Sequence, residues 1–108
     1  MNSKVIPNEQ FFTIVESIIK SGQTLEMNIK GSSMYPTLIS GKHKIVLAPM
    51  RKEYLHKGIL ALFLYNGKHV LHRLVAIDGD LLTFQGDNLP YSKEVAKQTD
   101  IIAFAEYI

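Results

Sequence analysis

Serines in this chain can supply a nucleophile, and its four histidines, its lysines and its carboxylates are the candidates for a base; there is no cysteine among the 108 residues. One serine stands apart by its surroundings. Gly31-Ser32-Ser33-Met34-Tyr35-Pro36-Thr37-Leu38 follows directly on an alternating stretch, Leu25 to Lys30. Glycine lets main chain approach closely and proline stiffens the exit, so a hydroxyl here sits at the end of a strand in a constrained turn. A serine hydroxyl is a weak nucleophile until a base takes its proton. Of the histidines, His43 and His56 fall in polar, turn-like segments and read as surface residues. His69 and His72 share a predicted strand. Three residues apart, they point to opposite faces and do not chelate one metal together. His72 shares its face with Val70 and Leu74, and His69 shares the other with Leu71 and Arg73. An imidazole ordinarily titrates near ~6.5, close to what a general base needs at neutral pH.

Three segments together resemble one peptidase superfamily. Ser33-Met34-Tyr35-Pro36-Thr37-Leu38 resembles the serine box of type I signal peptidases and the related LexA-like peptidases, with Ser33 in the nucleophile's register. Val70-Leu71-His72-Arg73-Leu74-Val75 resembles the strand that carries the general base, in the branch where histidine replaces lysine. Phe84-Gln85-Gly86-Asp87-Asn88 is similar to the Gly-Asp-Asn box that follows the base. The resemblance covers about residues 25 to 90. It implies a Ser33–His72 dyad, with Asp87 as a possible orienting acid, ahead of Glu94 or no acid at all. It also implies an extended peptide substrate beside Met27, Ile29 and Val70, with Ser32, Met34 and the Ser33 backbone near the oxyanion. No metal or cofactor is needed.

The chain departs from the pattern in places. Gly41-Lys42 and Gly58-Ile59 stand where the family carries Gly-Asp, and Gly31 stands where some members place a second hydroxyl. Two other readings follow. One is a domain of the same fold that binds a peptide or partner without cutting it. The other is a self-cleaving regulatory module, for which the chain has neither a preceding helix-turn-helix nor an Ala-Gly or Cys-Gly bond.

The elements that position these residues follow from periodicity. Phe11, Phe12, Ile14, Val15, Ile18 and Ile19 recur at helical spacing, predicting a helix over about 8–20, with Asn8 as N-cap and Gly22 as its stop. The pattern then alternates. Strands are expected at Leu25–Lys30, Lys44–Ala48, Ile59–Tyr65, Lys68–Ile77, Asp80–Gln85 and Ile101–Ile108, with one helical turn within 50–58 and a loop through Pro90. Asn66-Gly67 and Asp78-Gly79 signal hairpins. The expectation is one mostly β domain over 1–108: a small twisted sheet or partly closed β-barrel, as in the C-terminal domain of the LexA-like peptidases, with one N-terminal helix.

Composition narrows the function class. Hydrophobic residues make up 46% and the formal charge is +2, which fits a globular chain and gives no reason to expect nucleic acid as a partner. No apolar run reaches the ~18 residues of a spanning helix, and no secretory leader is evident, so the expectation is a soluble cytoplasmic protein without a transmembrane anchor. The helix is not basic enough to make a membrane surface its natural partner, although peripheral contact through Phe11 and Phe12 stays open.

Overall fold

The computed structural model describes residues 8–28, 33–35, 37–39 and 42–107. Helix α1 (Asn8–Lys20) precedes seven strands: β1 (Leu25–Asn28), β2 (Lys44–Ala48), β3 (Leu60–Tyr65), β4 (Lys68–Asp78), β5 (Leu81–Gln85), β6 (Glu94–Lys97) and β7 (Ile101–Tyr107). Single 3₁₀ turns fill Lys52–Tyr54 and Gln98–Asp100. Among the described residues, the expected strand residues Ile29, Lys30 and Ile108 have no place, nor do Gly31, Ser32, Pro36 and Gly41.

α1 ends as its sequence requires. Gly22 takes φ 87°, and the N–H groups of Gly22 and Gln23 donate to the carbonyls of Ile19 and Ile18. This paired closure satisfies carbonyls that the last turn would leave bare. The helix lays Val15 and Ile19 on one face of the sheet, against Ile45, Leu47, Leu60, Leu62, Ala103 and Ala105.

The strands form one antiparallel sheet in the order β1-β2-β7-β3-β4-β5-β6. Of the two expected arrangements, a twisted sheet or a partly closed barrel, the structure has the sheet: it is open, with β1 and β6 at its two edges. It closes its second face by curling instead. β6 comes back over β3, so Ala96 of β6 joins Ala61, Phe63, Leu74, Phe84 and Phe104 in a second core. Phe63 and Phe84 stack there with ring centroids 4.0 Å apart and are fully buried. Truncating either ring to alanine costs about 3–5 kcal/mol on the usual scale for buried aromatics.

Two hairpins set the register of β4. Asn66 and Gly67 both take positive φ, 51° and 76°, the requirement of a two-residue turn that matches strand twist. At the other end, Asp78 pairs with Leu81 around Gly79-Asp80, with Gly79 at φ 58°. β5 therefore starts at Leu81, one residue later than expected. Between these turns β4 carries a bulge. Leu74 pairs with Phe84 and Ala76 with Thr83, leaving Val75 as an extra residue.

The strand that sequence reasoning missed is β6. The stretch after Pro90 reads as loop, yet Glu94–Lys97 pairs with Leu81–Phe84.

Candidate active site

His72 lies in β4 on the face of the second core, opposite Ala61 of β3. It is 6% exposed, and among the described residues it shares this burial with one other charged or polar side chain, Glu94 at 9%. The two meet: His72 Nδ1 and Glu94 Oε1 are 2.6 Å apart. A carboxylate only accepts, so Nδ1 carries the proton and donates it, which fixes the neutral tautomer with Nε2 bare. Glu94 opens β6 directly opposite Phe84, and its side chain reaches past β5 to the imidazole.

Nε2 faces the other way, toward Gly86. A Cβ built on Gly86 would lie 2.9 Å from His72 Nε2 and 2.7 Å from the Ser33 carbonyl oxygen. Gly86 thus lies beside both the imidazole edge and the main chain of Ser33, and a side chain here would crowd both. Its φ is not positive, so closeness rather than conformation calls for glycine here.

The loop bearing Ser33 is tied to the loop after β5 by three bonds. Asn88 N–H donates to the Ser33 carbonyl at 2.8 Å. Asp87 N–H points at Met34 Sδ, 3.4 Å away. The Thr37 hydroxyl donates to Asp87 Oδ2 at 2.6 Å. Met34 and Leu38 anchor the same loop in the first core, at 3% and 0% exposure. At its far end Ile39 N–H donates to His43 Nδ1 at 2.8 Å. His43 is therefore a half-buried brace for this loop and not the surface residue expected, whereas His56 is exposed.

Asp87 does not orient His72, contrary to the leading expectation. Its carboxylate is held by Arg73, with Nε and Nη2 each donating at 2.9 Å, while Arg73 Nη1 donates to the Gly58 carbonyl. The Arg73 hydrogen bonds hold the Asp87 carboxyl below its usual range, the Thr37 hydroxyl adds to this, and partial burial works against it. The next residue after His72 on β4 faces the opposite side of the strand, so Arg73 captures this acid before it can reach the imidazole. Glu94, the second choice, holds that position.

The other candidates divide. Met27 is half-buried beside the first core, and Val70 lines the second. Ser32 and Ile29 fall outside the described residues. His69 is on the opposite face from His72, as its position requires. It stacks on Phe12 of α1 with ring centroids 4.3 Å apart, and its Nε2 is 3.6 Å from Glu16 Oε1.

Chemically, the arrangement is a carboxylate–imidazole pair removed from water, with the free imidazole nitrogen turned to a serine's main chain. A carboxylate-bonded imidazole of this kind can serve general acid–base chemistry. Among the described residues no group of three His, Asp or Glu side chains could hold a metal ion, and no helix is long and apolar enough to cross a membrane. Neither a family model nor a curated protein matches the chain.

Proposed function

We propose that this chain is a serine endopeptidase of the signal-peptidase and LexA-like type, working through Ser33, His72 and Glu94. The observation that carries the reading is one buried imidazole bonded to a carboxylate through Nδ1, with Nε2 on the side of Gly86 and the Ser33 loop. Nδ1 is bonded to Glu94 at 2.6 Å, and a Cβ on Gly86 would lie 2.9 Å from Nε2 and 2.7 Å from the Ser33 carbonyl oxygen. A histidine that merely filled the core would not need a carboxylate buried with it, since burying a charge is costly unless its partner gains from it.

In the proposed reaction the Ser33 hydroxyl adds to the substrate carbonyl as His72 Nε2 takes its proton. The proton then passes to the leaving amine as the acyl-enzyme forms. Water, deprotonated by the same nitrogen, releases the acid. Glu94 keeps the Nδ1 proton in place and offsets the positive charge that the ring acquires. Backbone N–H groups of the Ser33 loop stabilise the oxyanion. The substrate is an extended peptide lying beside β1 and the first half of β4.

The test is a mass-spectrometric survey of new termini after incubation with a complex peptide mixture. The intact chain is compared with Ser33→Ala and His72→Ala. New termini made only by the intact chain support the reading. Identical termini from all three, or none from any, overturn it, and peptide retained without cleavage identifies a binding domain instead.

A further inference from the structure

Pairing along β4 is uneven. Lys68–His72 pairs with β3 alone, and β5 covers the other side only from Arg73, which faces Gln85, onward. A peptide strand added beside the open stretch therefore cannot continue past Arg73, because β5 occupies that edge. It must leave the sheet beside Gln85 and Gly86. A cavity of about 420 Å³ lies there, lined by Thr37, Val75, Gln85, Gly86, Asp87 and Pro90. The β4 bulge supplies one of its walls: Val75 is the unpaired residue, on the strand face that Gln85 shares. Bulges commonly re-aim a side chain beside a functional site.

We infer that this cavity is the subsite for the substrate residue that follows the scissile bond, and that it takes uncharged or basic side chains and rejects acidic ones. The inference rests on the peptidase reading for the position of the bond. Its selectivity comes from the wall chemistry. Val75 and Pro90 offer carbon. The Thr37 hydroxyl proton is engaged by Asp87, and a Gln85 amide proton by the Leu89 carbonyl at 3.0 Å. The Arg73 guanidinium is engaged by Asp87 and Gly58 and forms no part of the wall. What remains for a ligand is the second Gln85 amide proton and oxygen acceptors, one of them the Asp87 carboxylate. An acidic side chain would meet that carboxylate first, because its Arg73 partner lies outside the wall.

The experiment profiles cleavage of a synthetic peptide pool, randomised after the scissile bond, by the intact chain, Val75→Trp and Val75→Ala. For the intact chain, Asp or Glu directly after the bond lowers kcat/KM about tenfold or more relative to Ala or Leu, within the range single subsite contacts supply. Val75→Trp fills the cavity and shifts that position toward Gly and Ala, Val75→Ala shifts it toward larger residues, and preferences before the bond stay as they were. An unchanged profile after the bond in both variants, or a change confined to residues before it, overturns the subsite. If no peptide is cut in a Ser33-dependent way, the peptidase reading is lost and the cavity is judged by binding. Amide resonances of Val75 and Gly86 in Ser33→Ala are then followed with the same pool. Shifts that weaken about tenfold for acidic members uphold the cavity, and their absence overturns it.

Discussion

Glu94 reaches His72 across an intervening strand. β5 stands between β6 and β4, yet the carboxylate and Nδ1 are 2.6 Å apart and both residues are buried. In Glu94→Gln the carboxamide can donate as well as accept, so the imidazole is free to take the wrong tautomer. The expected result is a loss of kcat by about 10²–10⁴-fold with KM little changed. Steady-state kinetics on any peptide found to be cut checks it.

Glu94→Ala tests the same bond on the stability side. It leaves a buried N–H without a partner, at a cost of about 1–3 kcal/mol. Urea denaturation should show a lower midpoint with an unchanged slope.

Gly86→Ala places a methyl 2.7 Å from the Ser33 carbonyl and 2.9 Å from His72 Nε2, distances at which one neighbour must move. Displacing either by an ångström is expected to lower kcat about 10²-fold. Gly79→Ala is the control. Its methyl meets nothing within 4 Å, and its φ of 58° makes the change a backbone penalty of about 1–2 kcal/mol, without effect on turnover.

Asp87 sets an acid limit on the fold. Its carboxyl is held below the usual range by Arg73, so the stabilisation is complete above the unfolded-chain value near ~3.9 and fades as pH falls through the lower folded value. Asp87→Asn should be less stable than the parent at neutral pH, with the gap closing toward strong acid. Denaturation midpoints measured from neutrality down to the acid transition report this directly.

His69 should behave oppositely to His72. Its buried Nε2 has no hydrogen-bond partner among the described residues, while its ring stacks on Phe12. His69→Phe keeps the stack and removes a buried nitrogen that lacks a hydrogen bond, together with its 3.6 Å approach to the Glu16 carboxylate. A gain of about 1 kcal/mol, or a rise in Tm of ~4–8 °C, is expected, with activity retained.

These residues also show what could be read from the chain alone. Helix α1, the Asn66-Gly67 turn and the two faces of β4 follow from spacing and turn chemistry, which are local. β6 did not, because its alternation has the wrong sign: Glu94 is buried and Val95 is 54% exposed. Hydropathy reads that stretch as loop for the same reason that it hides the acid. The exchange of Asp87 for Glu94 beside His72 is a matter of pairing at long range. The Arg73–Asp87 contact spans fourteen residues and the His72–Glu94 contact twenty-two. Openness of the sheet likewise depends on where β6 ends up and not on the number of strands.

β7 comes after the other six strands in the chain but lies third in the sheet, between β2 and β3. A nascent chain extended on the ribosome only to Asp100 would hold a β1–β2 pair and a β3–β6 piece with no ladder between them. Ser33 follows the first, while His72 and Glu94 belong to the second. β7 thus supplies the ladder that joins the strand before Ser33 to the strands of His72 and Glu94, and on the proposed peptidase reading a chain still lacking it carries its hydroxyl and its base on two separately laddered pieces.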